Sequence, residues 1–132
     1  MKNLLAQFNE FADQNDSRIA IVLEGRDTAG KSSTIRELTH YLNPAWYSVV
    51  PSRKPSKRTM KNWLPYWTEK MPADSQIVFY DRSWYSRAIV QYVNGWCTER
   101  QYQNILDVNL EWEAAQNVTF LQFWHSISQA EQ

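Results

Sequence analysis

Residues 25–32 read Gly-Arg-Asp-Thr-Ala-Gly-Lys-Ser and match the pattern G-x-x-x-x-G-K-[ST] in full. The context is the one this pattern needs: the apolar run Ile19–Leu23, extending to Glu24, predicts a strand leading in, and a helix is expected from about Lys31. The chain contains three glycines, and two of them stand at Gly25 and Gly30. Glycine lets the backbone curl so that successive N–H groups converge on phosphate oxygens. The helix N-terminus then adds the positive end of its dipole. The expected phosphate cradle is Gly25, Arg26, Asp27, Thr28, Ala29, Gly30, Lys31, Ser32 and Ser33. Within it Lys31 would reach the outer phosphates and the Ser32 hydroxyl would ligate Mg²⁺. At average composition the pattern arises by chance in roughly one chain of this length in a few hundred. A strand–loop–helix with an anion site at the strand's C-terminal end commits the chain to βα architecture.

The remainder of the sequence agrees with that commitment. Short apolar runs at Ile19–Leu23, Tyr47–Val50, Ile77–Tyr80 and Val118–Trp124 predict strands buried on both faces. Helical periodicity fills the gaps: Leu4 to Ala12, Ile35 to Leu42 before Asn43-Pro44, and Met60 to Met71 with a kink at Pro65. A capping box at Thr98-Glu99-Arg100-Gln101 opens a further helix. Strands alternating with helices imply an α/β fold around a mostly parallel sheet, layered α/β/α. With 132 residues, 43% of them apolar, a single domain over 1–132 can bury a real core: an N-terminal helix over about 1–17 and a core over 19–132. Seven Trp, seven Tyr and five Phe argue against disorder. No 18-residue apolar run or signal-like N-terminus is present, and one cysteine, Cys97, fits a reducing compartment, so the expected setting is cytoplasmic with no membrane partner.

Asp81 ends the apolar run Ile77–Tyr80, 50 residues after Lys31. That is the place for a carboxylate holding Mg²⁺ beside a phosphate loop, although an acid there also caps helices. Arg82 and Arg87 follow and read as phosphate clamps, with surface salt bridges as the alternative. Asp27, inside the loop, would be repelled by bound phosphate unless metal intervenes; it could hold a second Mg²⁺ or orient an acceptor phosphate. Lys54, Lys57, Arg58 and Lys61 belong to a stretch, residues 51–70, with six basic residues against Glu69 alone. Such a cluster concentrates a polyanion or is simply a solvated face.

These residues carry a resemblance. Glu24-Gly25-Arg26-Asp27-Thr28-Ala29-Gly30-Lys31-Ser32-Ser33-Thr34-Ile35 is similar to the phosphate loop of family-2 polyphosphate kinases. Asp81-Arg82-Ser83-Trp84-Tyr85-Ser86-Arg87-Ala88 resembles their second, more specific signature. Leu42-Asn43-Pro44, Lys54-Pro55-Ser56, Cys97-Thr98 with Gln101-Tyr102, and Phe123-Trp124 with Ser126 and Ser128 extend the likeness from about Ile19 to the last residue. The resemblance implies a P-loop kinase-like fold and reversible, Mg²⁺-dependent phosphoryl transfer between inorganic polyphosphate and a nucleoside mono- or diphosphate. It implies that Lys31 grips phosphate, Asp81 and Ser32 hold metal, Asp27 serves at the acceptor phosphate, and Arg82 and Arg87 neutralise charge in transfer. Lys54, Lys57, Arg58 and Lys61 become a polyphosphate track.

Three departures stand out. Ser32 replaces a frequent glycine, and Gln91 stands where the family usually has an acid. The family also continues beyond the segment matching Gln132, with a basic lid and another strand. The expectation is therefore a C-terminally truncated form with an exposed sheet edge, open to self-association or a partner chain. Helix-start signals at Ser126–Gln129 and Ser128–Glu131 agree with this. Two alternatives remain: a weakly catalytic nucleotide- or polyphosphate-binding or regulatory homologue needing a partner, and a thymidylate-kinase-like nucleotide kinase. No guanine-reading Asn-Lys-x-Asp segment and no nucleic-acid partner is expected. His40, His125 and Cys97 read as local structural residues. Trp63, Trp67 and Trp84 lie near the inferred site, where they could flank a base.

Overall fold

The computed structural model describes residues 6, 18–25, 30–51 and 53–125. The expected N-terminal helix, the loop residues Arg26, Asp27, Thr28 and Ala29, and the signals after His125 lie outside the described residues. In chain order the elements are β1 (Ile19–Gly25), α1 (Lys31–Thr39), β2 (Tyr47–Val50), α2 (Lys57–Lys61) and α3 (Trp63–Glu69). Then come β3 (Ile77–Asp81), a π-helical turn (Arg87–Gln91), α4 (Glu99–Ala115) and β4 (Thr119–His125).

The strands form one sheet in the order β2-β3-β1-β4, and every pairing is parallel. The chain crosses from β1 over β3 to β2, then returns through β3 and over β1 to β4. Right-handed crossovers running in opposite directions must lie on opposite faces of a sheet. Accordingly α1 supplies Ile35 to one face, with Ile19, Ile21, Leu23, Ile77 and Phe79. The other face, with Ala20, Val22, Val78 and Tyr80, is covered by Trp63 and Trp67 of α3, Trp84, and Ile105 of α4. The reversal of direction opens a crevice at the C-terminal ends of β1 and β3, where α/β sheets bind ligands.

Burial on both faces holds for β1, in which all seven residues are buried, and for Ile77–Tyr80 of β3. It does not hold for β2 or β4. These are edge strands among the described residues, and apolar composition alone cannot seal a strand that has one neighbour. The edge where a further chain was expected is β4, which leaves Leu121, Phe123 and Trp124 exposed.

Two helix expectations also change. α1 ends at Thr39, before Leu42, as the Thr39 hydroxyl turns back to the Ile35 carbonyl. The helix expected to kink at Pro65 is instead broken at Asn62 (φ −115°), giving α2 and α3. Pro65 cannot accept a preceding helical turn whose carbonyl would meet its ring, but it sits without strain in the first turn of α3. The capping box forms, with Thr98 Oγ1 accepting from Gln101 N and Gln101 Oε1 from Thr98 N.

Candidate active site

The two loop glycines are required for different reasons. Gly25 has φ +139°, and a Cβ there would lie 2.1 Å from the carbonyl oxygen of His125, its partner in β4. Gly30 has φ +84° with no described residue within 4 Å of a Cβ position, so its need is conformational. From Gly30 the helix α1 starts at once. Lys31 is buried and donates from Nζ to the Gly25 carbonyl at 3.1 Å, closing the loop on itself.

Parallel pairing of β1 with β3 places Leu23 opposite Asp81 and so brings Asp81 beside the loop. Ser32 Oγ donates to Asp81 Oδ2 at 2.5 Å. Ser32 and Asp81, read separately from the loop motif and from the end of an apolar strand, are thus in direct contact, and Lys31 is folded back on the Gly25 carbonyl at the same end of the sheet. A hydroxyl and a carboxylate in contact are hard oxygen donors of the kind Mg²⁺ selects, so the chemistry of this donor set fits that ion. Among the described residues no group of three or more His, Cys, Asp or Glu could hold a metal. Asp27, the further candidate ligand read from the sequence, lies outside the described residues.

Arg82 turns the chain out of β3 with φ +68°, its N–H donating to the Leu23 carbonyl at 2.9 Å. The rest of the second signature is anchored inward. Ser83 Oγ donates to Glu24 Oε1 at 2.6 Å, while Trp84 Nε1 and Tyr85 Oη both donate to Glu113 Oε1 at 2.7 Å. Trp84 is fully buried, so it cannot flank a ligand. Arg87, expected as a second clamp, is buried, and the contacts of its guanidinium among the described residues are with α2 and α3. Its Nη2 donates to the Met60 carbonyl, its guanidinium lies 4.9 Å from the Trp63 ring centroid, and its Nε has no hydrogen-bond partner among the described residues. Burial lowers its hold on the proton. Glu24 is buried too, and its Oε2 has no hydrogen-bond partner among the described residues. Desolvation pushes its carboxyl above the usual range, against the opposing pull of the Ser83 hydrogen bond and the nearby Arg82 and Lys31 charges.

Next to Asp81 and Arg82 opens a cleft of about 390 Å³. Trp63, Tyr66, Trp67 and Trp96 give it aromatic walls, and Arg53, Lys54 and Arg82 give it a basic lip. Of the basic run, Lys54 lies on this lip with its ammonium 4.5 Å from the Trp96 ring centroid. Lys57, Arg58 and Lys61 are exposed on α2, outside the cleft.

This geometry can be compared with known proteins. The family model described as polyphosphate kinase 2 (PPK2) matches residues 1–132. The chain belongs to the polyphosphate kinase 2 family. It is 33% identical to NDP-polyphosphate phosphotransferase 3 of Ruegeria pomeroyi, over 97% of this chain and 44% of that protein. It is 35% identical to the ADP-polyphosphate phosphotransferase of Pseudomonas aeruginosa, over 97% of this chain and 43% of that one. The chain therefore spans less than half the length of these relatives. A crystal structure assigned to polyphosphate kinase 2 from Pseudomonas aeruginosa superposes with a TM-score of 0.84 at 26% identity, covering 98% of this chain and 29% of that one. The family assignment sets the thymidylate-kinase-like alternative aside.

For a polyphosphate kinase 2 chain, reasoning from the sequence passed over Glu24, Ser83 and Glu113. Glu24 has no role in the loop motif itself, and its partner Ser83 is 59 residues away. Glu113 lies on an amphipathic helix where an acid reads as a solvated residue. The signal that could have found it is the pair Trp84-Tyr85, two aromatic donors in a buried turn that need an acceptor.

Proposed function

We propose that the chain carries out phosphoryl transfer between inorganic polyphosphate and a nucleoside mono- or diphosphate. The observation that carries this reading is the hydrogen bond of Ser32 to Asp81, with the neighbouring Lys31 buried against the Gly25 carbonyl, in a chain of the polyphosphate kinase 2 family. In the reaction a terminal oxygen of one phosphate chain attacks the end phosphorus of the other. One P–O–P linkage forms as another breaks, so charge must be stabilised without net oxidation or reduction.

Loop N–H groups and the α1 N-terminus hold the phosphoryl oxygens, and Lys31, already buried against the loop, supplies a fixed positive charge. Ser32 and Asp81 would hold Mg²⁺, with Asp27 as a candidate third ligand or acceptor-phosphate contact. When bound, the ion neutralises phosphate charge and aligns the reacting groups. Arg82 is the clamp at the site. Arg87 is proposed to serve it by holding Trp63 and the Met60 carbonyl in place. The exposed Lys57, Arg58 and Lys61, continued by Lys54 at the cleft lip, form the polyphosphate track. A single half-buried cysteine supports a reducing, cytoplasmic setting.

The test is a coupled assay of ATP and GTP formation from long-chain polyphosphate, Mg²⁺ and each nucleoside mono- and diphosphate. Turnover abolished by Asp81→Asn is expected, with Lys31→Ala losing phosphate binding while remaining folded. Turnover that survives Asp81→Asn would overturn the site.

A further inference from the structure

Arg82 follows Asp81 directly and stands at φ +68°, in the left-handed region that an arginine keeps only where its surroundings over-determine it. Two tethers hold it there, and both run to the end of β1. The Arg82 N–H donates to the Leu23 carbonyl at 2.9 Å, and the Ser83 hydroxyl donates to Glu24 Oε1 at 2.6 Å. Ser83 is fully buried, and its Oγ also accepts from Tyr85 N at 3.2 Å, so the hydroxyl is fixed from both sides. The first tether joins backbone to backbone and is open to any sequence. The second needs a side-chain acceptor at residue 24, and β1 supplies it from a buried glutamate immediately before Gly25.

By itself a carboxyl is unfavourable at this position. Burial penalises its charge, and it adjoins a loop read as the seat of an anion. Its contact supplies the reason for it. An oxygen–oxygen distance of 2.6 Å is that of a hydroxyl donating to an ionised carboxylate, a bond roughly twice as strong as one between neutral partners. We propose that Glu24 is a positioning residue for phosphoryl transfer: through Ser83 it fixes the strained turn from which Arg82 serves as the phosphate clamp. The inference rests on the reading of Arg82 as the clamp of a phosphotransferase and adds a residue that acts through it. In this role Glu24 contacts neither phosphate nor metal. The role also differs in sign from an electrostatic one. As a charge alone, Glu24 repels a bound phosphate chain, and deleting it would tighten binding. As the acceptor for Ser83, its deletion loosens Arg82 and weakens binding. Glutamine removes the charge and keeps an acceptor oxygen, whereas alanine removes both.

The experiment measures binding of inorganic tripolyphosphate to the full chain by calorimetry with Mg²⁺, with turnover of the wild type followed in parallel. The variants are Glu24→Ala, Glu24→Gln, Ser83→Ala and Arg82→Ala, with Glu24→Ala and Ser83→Ala each also combined with Arg82→Ala. Ligand-free melting sets a temperature at which the variants compared are folded. Arg82→Ala is expected to weaken binding about tenfold, and Glu24→Ala about fivefold. The double variant should bind as Arg82→Ala does, since a missing clamp no longer needs positioning. Glu24→Gln should stay within about threefold of wild type, because its amide oxygen still accepts from Ser83. Ser83→Ala, which deletes the other end of the bond, should match Glu24→Ala, and it carries the test if that variant does not fold. Losses that add in the double variants overturn the inference, as they are the pattern of a merely structural residue. So does Glu24→Ala binding as tightly as wild type or tighter, or Glu24→Gln binding as weakly as Glu24→Ala. Arg82→Ala with wild-type affinity also overturns it, for then there is no clamp to position. A wild-type chain without turnover removes the phosphotransferase reading alone, and coupling of Glu24 to Arg82 in binding then still supports the inference.

Discussion

On one face of the sheet Ile19, Ile21, Leu23, Ile77 and Phe79 meet Ile35 and Leu42 in a cluster of hydrocarbon side chains. On the other face Ala20, Val22, Val78 and Tyr80 meet three tryptophans and Ile105. The buried side-chain atoms without partners among the described residues, on Glu24, Trp67, Arg87, Gln91 and Asn109, belong to this second side. The two faces share the same strands, so strand composition does not separate them. What does is the crossover direction, which assigns one plain amphipathic helix to the first face and the signature turn with α3 and α4 to the second. The interior is thereby divided across one sheet: the first face packs hydrocarbon beneath α1, whose first turn carries Lys31 and Ser32, while the second holds buried polar groups without partners among the described residues.

The division is broken most severely by cutting into the first face. Phe79→Ala removes a fully buried ring that meets Tyr47 edge to face at 6.1 Å between centroids. It should cost about 3–5 kcal/mol, a large share of the stability of a domain this size. Urea unfolding reads the loss, and nucleotide affinity of the protein that remains folded should be unchanged. A substantial change in affinity would show that the faces are coupled.

On the second face the same kind of cut has two consequences. Glu113→Ala leaves Trp84 Nε1 and Tyr85 Oη without their acceptor, and should cost about 2–3 kcal/mol. Because Trp84 and Tyr85 anchor the turn that carries Asp81 and Arg82, phosphotransfer should fall as well, under conditions where the variant is fully folded. Loss of stability with unaltered turnover would place Glu113 with the first face in kind.

A gentler probe is Glu24, whose carboxyl is raised above the ordinary 4.5 mainly by burial. Between that value and the raised one the native state binds more protons than the unfolded chain. This residue's contribution to stability is therefore fully present below pH 4.5 and declines as pH rises through the native value. Glu24→Gln should remove that decline. Denaturation at a series of pH values, taken as the difference between variant and wild type, reads it directly. A difference that stays flat with pH would mean the carboxyl is not held above its ordinary range.

The legible part of this site was the part made by backbone. Gly25, Gly30, Lys31 and Ser32 are constrained by the loop they must form, and Asp81 by the end of an apolar strand, so residue type and spacing placed them. The capping box at Thr98 and Gln101 was legible for the same reason. What the signature after Asp81 did not disclose is direction. Arg82 enters the left-handed region at φ +68°, and this turn sends Ser83, Trp84, Tyr85 and Arg87 into the interior. No periodicity marks such a turn, so Trp84 read as a stacking candidate and Arg87 as a clamp. Likewise β2 and β4 read as fully buried because a run of apolar residues does not state how many neighbours its strand will have.

That last point yields the smallest effect. Leu23 and Phe123 are paired in register and lie on the same face of adjacent strands, but Leu23 is 1% exposed and Phe123 52%. Phenylalanine is the larger side chain, and from composition alone its truncation would be the more damaging. Burial reverses the order. Leu23→Ala, in the central strand, should cost about 2–5 kcal/mol, and Phe123→Ala about 1 kcal/mol or less. The two variants, unfolded in urea side by side, test whether position in the sheet outweighs side-chain size. Should Phe123→Ala prove as costly as Leu23→Ala, Phe123 is covered in solution, and the first face continues across β4 beneath whatever covers it.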